Sequence, residues 1–141
     1  METVYFENDH LTLYYDPAGQ MWRAVWTGFL SGEVFRSNIG ASLQLIEDKN
    51  PVLWLADNRK MKAIRQKDQA WFEKEVLPRL GASSIRKMAA LVSEDIFNQM
   101  AVETLFIRGN HIIRFDHQFF HREEEARAWL AAPSQENQEA C

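Results

Sequence analysis

The chain predicts an α/β fold. It reads as one domain over residues 1–132, an N-terminal β-meander followed by alternating helices and strands, with a mixed sheet covered by helices. Three observations carry this. Short runs rich in Val, Thr, Phe, Tyr and Trp fill the first 27 residues, with turn residues between them. From Ser31 onward, segments of helical apolar spacing alternate with short apolar runs, the pattern of a sheet with helices packed on it. The 141 residues are 46% apolar with five Trp and nine Phe, enough for one core without a second.

Residues 3–6 and 11–15 read as strands joined by a turn at Asn8-Asp9. A second turn, Asp16-Pro17-Ala18-Gly19, leads into a strand over 21–27, where Trp22, Ala24 and Trp26 share one face. Ser31 is placed to cap a helix with Phe35, Ile39, Leu43 and Ile46 on one side, and Asn50-Pro51 stops it. Residues 52–56 are almost wholly apolar, as expected of an interior strand covered on both faces, with Trp54 and Leu55 pointing opposite ways. A helix is predicted over 66–76, with Pro78 kinking or ending it. Residues 87–92 read as a second buried strand. Ser93 or Asp95 can cap a helix whose apolar face is Phe97, Met100, Ala101 and Leu105, ended by Gly109-Asn110. The last strand is predicted at 112–115. Glu123, Glu124 and Glu125 then fill the favourable first turn of a helix that buries Ala126, Trp129 and Leu130. Residues 133–141 read as a disordered polar tail.

Bulk properties exclude several functions. A net charge of −4 implies no general affinity for nucleic acid or anionic membrane. No apolar run approaches the roughly 20 residues of a membrane span, and no secretory signal is visible, so insertion is not expected. Cys141 is the only cysteine, which rules out an intrachain disulfide and agrees with a cytoplasmic location. The six glycines build no phosphate loop, and no cofactor is expected. The checklist of nucleophile, base and oxyanion donor cannot be filled, so the chain reads as a non-enzyme.

The strand-plus-loop VLWLADNRKM, the segment AWFEKEVLPRLGAS, KMAALVS followed by EDIFNQMAVE, and the close FDHQFFHREEEARAWL together resemble the SpoIIAA-like, or STAS-like, family, in particular its short free-standing bacterial members. The resemblance spans residues 4–132 and implies a mixed sheet with helices packed on it and a regulatory, protein-docking role. Signalling members carry an Asp-Ser-Ser-Gly-type turn after the central strand, where a Ser is phosphorylated. The corresponding residues here are Asp57-Asn58-Arg59-Lys60, so no such switch is expected. The same general fold resembles the lipid-carrying CRAL-TRIO domains, which implies a second role, carrier or sensor of a small apolar ligand.

The candidate partner-binding site is the predicted loop after the central strand: Asp57, Asn58, Arg59, Lys60, Met61 and Lys62. Asp57 and Asn58 would fix the backbone, Arg59, Lys60 and Lys62 would form an exposed charged rim for an acidic protein partner, and Met61 would be an adaptable apolar contact. Charge reversal at Arg59 and Lys62 is then expected to leave stability nearly unchanged. Phe119-Phe120 is the candidate patch for a homodimer. His117 and His121 have an i, i+4 spacing but fall across a predicted strand–helix boundary, so no metal is expected.

Overall fold

The structure is a computed structural model that describes residues 1–133, so residues 134–141 of the predicted tail lie outside the described residues. Six strands form one sheet in the order β1 (Thr3–Glu7), β2 (Leu11–Asp16), β3 (Met21–Gly28), β4 (Leu53–Met61), β5 (Lys87–Leu91), β6 (Asp116–Phe120). The first two pairings are antiparallel and the last three parallel. The meander turns are made by short side chains. Asn8 Oδ1 accepts from the N–H groups of His10 and Leu11 at 2.9 and 3.0 Å, and Asp16 Oδ1 accepts from Ala18 N–H at 3.1 Å.

The strand order never reverses. Each crossover between parallel neighbours is right-handed by the usual chirality, so the three connecting helical segments fall on one face of the sheet. These are α1 (Gly32–Lys49), the segment α2 (Gln66–Trp71) to α3 (Leu77–Gly81), and α4 (Ile96–Arg108). The last helix, α5 (Glu123–Ala131), has no strand to reach and folds back on the other face. Two cores result. The larger holds Trp22, Ala24, Trp26, Phe35, Trp54, Met88 and Phe106 beneath the three crossovers; the smaller holds Leu55, Ala89, Leu91 and Phe120 under Ala126 and Leu130. Trp54 and Leu55 are both buried on opposite faces of an interior strand, as predicted. Lys87, buried at the start of β5, donates from Nζ to Trp129 O and Ala132 O at 2.6 and 2.8 Å and so ties the end of α5 to the sheet.

Four expectations are corrected. β4 does not stop at Ala56 but runs to Met61, because β3 continues beside it to Gly28 and keeps supplying ladder partners. The last strand is not 112–115 but Asp116–Phe120. Residues 109–111 form a 3-10 turn, and Ile113 and Phe115 are buried beyond it without joining the sheet. The helix from Gln66 does not end before Pro78. A π-helical turn, Phe72–Val76, joins α2 to α3, with Leu77 N–H donating to Phe72 O five residues back. The wider turn relieves the clash that Pro78 would otherwise make with the carbonyl four residues earlier, so the helix continues to Gly81. Finally, α4 is rotated from the predicted face. Asn98, Ala101, Leu105 and Phe106 are buried, while Phe97 and Met100 face outward.

Two glycines make opposite demands. A Cβ on Gly81 would sit 2.4 Å from Ile112 O, at the close approach of α3 to the segment before β6, whereas Gly40 on α1 has nothing within 4 Å. Gly81→Ala is expected to lower unfolding free energy by about 1–3 kcal/mol. Gly40→Ala, in a helix interior, is expected to raise it by up to about 1 kcal/mol. Urea denaturation of the two variants against wild type reads both signs.

Candidate functional site

The expected docking residues lie on the far half of β4, where it extends past β5. β5 pairs with β4 only as far as Asp57, while β3 accompanies it to Met61. Between Val25 and Thr27 the facing strand advances from Asp57 to Lys60, so β4 carries one extra residue at Asn58-Arg59, a β-bulge. The bulge changes the parity of the strand. Asn58 faces the large core, and Met61, which strict alternation would turn to the opposite face, returns to the same core; both are buried. The predicted role of Met61 as an exposed contact is therefore corrected: it is a core residue.

Arg59 is likewise not a free rim cation. Its Nε and Nη2 bind Asp57 bidentately at 2.9 and 2.7 Å, and Nη2 also donates to Glu123 Oε1 at 3.1 Å on the first turn of α5. Arg127 Nε completes the ladder on Glu123 at 2.8 Å. Asp57 also accepts from the Arg59 backbone N–H at 3.2 Å, which is the backbone-fixing role predicted for it. Burial alone would raise the Asp57 carboxyl. The hydrogen bonds and charge of Arg59, helped by Arg23, outweigh it and hold the pKa below its ordinary 3.8. Glu123 is lowered from 4.5 by Arg127 first and by Arg59. This cluster joins the end of β4 to α5, and charge reversal at Arg59 would break it. The expectation that such a reversal leaves stability unchanged does not fit Arg59.

The remaining cations divide. Lys60 pairs with Glu94 at 3.1 Å, both exposed, and Arg65 binds the buried Asp68, which also accepts from Gly32 N–H. Lys62 is exposed and its backbone is fixed on both sides, its N–H donating to Gly28 O and its carbonyl accepting from Asn98 Nδ2, both at 2.9 Å. The end of β4 is thereby joined to the start of α4. Ser93 Oγ donates to Met61 O at 2.6 Å, Glu94 N–H donates to Arg59 O at 3.1 Å, and Asp95 caps α4 by accepting from Phe97 N–H at 2.9 Å.

What the sequence reading missed is on α4. Ile96, Phe97, Met100 and Ile107 are 56, 68, 58 and 70% exposed, on a helix whose opposite side is in the core. The signal was present: α4 is apolar around most of its circumference, so no single stripe identifies the core face. Asn98 decided it, because burying its amide on Lys62 O fixes the helix rotation.

The other candidates are placed as follows. Phe120 is buried against Trp129, and Phe119 packs edge-on to Phe106 and His117, so this pair anchors β6 and α5 and does not form the exposed patch expected for a homodimer. His117 on β6 lies tilted against Phe106 of α4, and burial lowers its pKa. His121 lies exposed past the strand end. An apolar cavity lies between the sheet and the crossover helices, lined by Trp26, Trp54, Asn58, Met61, Phe72 and Phe106; its volume is about 70 Å³. The unreversed strand order also leaves no switch-point crevice at the strand ends, where open α/β sheets usually bind ligands.

A family model described as SpoIIAA-like matches residues 21–131. Among solved structures, the chain is similar to a DUF3478-family protein with a SpoIIAA-like fold from Shewanella loihica PV-4. The two are 17% identical, with a TM-score of 0.54 and 93% of each chain covered. No curated protein matches the chain. Among the described residues no helix is long and apolar enough to cross a membrane.

The ion cluster sets an acid limit on stability. Asp57 and Glu123 have folded pKa values below their unfolded ones, so their contribution is present above the unfolded values and is lost as pH falls through the folded ones. Arg59→Gln removes the groups that offset burial at Asp57, whose pKa should then rise. Acid unfolding followed by circular dichroism should begin at higher pH in this variant. At neutral pH it should be less stable by about 1–3 kcal/mol, the cost of a buried carboxylate left without its partner.

Proposed function

The chain belongs to the SpoIIAA-like family, and from that premise we propose that it is a non-enzymatic regulatory or protein-interaction domain of STAS-like type that works without a phosphorylated Ser. The observation that carries the reading is the outward apolar stripe of α4: Ile96, Phe97, Met100 and Ile107, each more than half exposed. Exposed apolar side chains gathered on one helix face mark a surface that is covered in use. Beside it stands the exposed end of β4. Lys60 and Lys62 form the charged rim; the carbonyls of Arg59 and Met61 hold β4 to the start of α4, Asp57 and the Arg59 guanidinium hold it to α5, and Asn58 is buried beneath. Lys60 already has Glu94, so an acidic partner is recruited chiefly through Lys62, with Lys60 exchanging one carboxylate for another.

The strand end that carries the switch Ser in signalling members has no Ser here, and Ser93 beside it is buried with its Oγ bonded to Met61 O. Recognition on this reading is by shape and charge alone. The carrier reading finds apolar lining at Trp26, Trp54 and Phe106, but a cavity of about 70 Å³. That is well under the roughly 300 Å³ at which ligand sites begin. The interaction reading is the better supported.

A pull-down from the native host with wild type, Phe97→Glu/Met100→Glu and Lys60→Glu/Lys62→Glu proteins tests it. The first variant should lose the partner while keeping its fold. The second should slow association by about tenfold at low salt, and added salt should slow wild type in the same way. Unaltered recovery by both variants, with intact circular dichroism, would falsify the docking face.

A further inference from the structure

We propose that α4 pairs with a second copy of itself, two chains meeting antiparallel about a two-fold axis midway between Met100 and Thr104. This rests on the interaction-domain reading and names a partner for the same face. Phe97, Met100, Thr104 and Ile107 follow the 3-4-3 spacing of a helix–helix seam. With Ile96 they fall within about 100° of the helix circumference, at 100° per residue. All five are exposed, and the helix cannot turn them inward, because Asn98, Ala101, Leu105 and Phe106 occupy the core side.

Antiparallel pairing is the arrangement in which this seam complements itself. It sets Phe97 against the partner's Ile107, and Met100 against the partner's Thr104, a large side chain facing a small one in the middle of the contact. Charge selects the same direction. Glu94 and Asp95 stand at the start of the helix and Arg108 in its last turn. Arg108 has no carboxylate partner among the described residues. Running antiparallel, each Arg108 comes within one helical turn of the partner's Glu94, whose exposed carboxylate it shares with the Lys60 that pairs with it at 3.1 Å, twice by symmetry, and the helix dipoles oppose. A parallel pair would set like charge against like. An anionic lipid surface is the poorer fit, since Glu94, Asp95 and Glu103 border the stripe in a chain of net charge −4. One short helix buries less than the roughly 1,200 Å² of a standard interface, so the dimer is a weak one.

Sedimentation equilibrium of the whole chain tests the pairing. Wild type should pass from monomer to dimer with a dissociation constant on the order of tens of micromolar. Met100→Glu should stay monomeric. Arg108→Glu should weaken the dimer about tenfold, and Glu94→Arg with Arg108→Glu should restore it to within about threefold, because the reversed pair still matches across the axis. Circular dichroism verifies each fold. A wild type that stays monomeric at about 500 µM overturns the proposal, as does a double variant no tighter than Arg108→Glu alone. Saturable binding of monomer to phosphatidylcholine vesicles with about 30% phosphatidylglycerol, abolished by Met100→Glu, would assign the face to lipid and also overturn it. The two readings fail separately. If wild type is monomeric but Phe97→Glu/Met100→Glu loses a captured protein, self-pairing falls and the interaction domain stands. If wild type dimerises as expected and capture is unchanged, the reverse holds.

Discussion

Trp22 and Trp54 face each other across the parallel pairing of β3 and β4, stacked with ring centroids 4.9 Å apart and planes 19° from parallel. This is the seam where the antiparallel meander meets the α/β half of the chain. Phe106 of α4 and Phe115 lie tilted or edge-on against Trp54, both at 6.2 Å, so the later helices pack onto an aromatic platform that the seam creates. The stack is dense enough to leave both indole N–H groups buried without a hydrogen-bond partner among the described residues. Such groups are costly to bury, and the large apolar area that the two indoles remove from water offsets the cost. The small internal cavity is what remains once the crossover helices close over this platform.

The two faces of the sheet are held by different forces. Beneath the crossovers the contact is broad and apolar. On the opposite face α5 covers β4, β5 and β6 over a small apolar core, and point contacts hold its two ends: Lys87 on the last carbonyls of the helix, and the Asp57–Arg59–Glu123–Arg127 ladder at its first turn. Where α5 does not reach, the meander protects its own surface, with Arg23 lying 3.9 Å over the Tyr14 ring and bound to Glu2. A helix pinned at both ends by charge responds to pH and salt more than the helices packed over the aromatic core.

Much of the fold was legible in the sequence because it is written in periodicity. The meander, α1, the double burial of Trp54 and Leu55 and the acidic start of α5 follow from spacing and from the chemistry of turns and caps. The errors share a cause. Periodicity reports which residues are apolar, not which partner is available. β4 was cut short because Arg59 and Lys60 are poor strand interiors in isolation, and nothing local reveals that β3 runs alongside to Gly28 or that Glu123, 64 residues away, receives the guanidinium. Ile112 and Ile113 resembled a strand because a buried 3-10 exit and a buried strand have the same composition. On α4 apolar residues occupy both sides, and the rotation was settled by one amide, Asn98, reaching a carbonyl on another element. The residues expected to form a docking loop lie instead on a strand end, and its most visible cations, Arg59 and Lys60, are already paired with carboxylates that local sequence does not reveal.

The bulge at Asn58-Arg59 has a consequence for descent within the family. Because the bulge holds one residue more than the pairing with β3 requires, a relative that lost it by a single-residue deletion would keep the equivalents of Lys60 and Met61 opposite Thr27 and Gly28, with the same side chains inward and outward. Loss of a second residue would break that register and send the equivalent of Met61 to the opposite face. A single deletion at this point should therefore be tolerated and a double one purged, so that length here, more than residue identity, separates relatives that share this strand end from those that have built another.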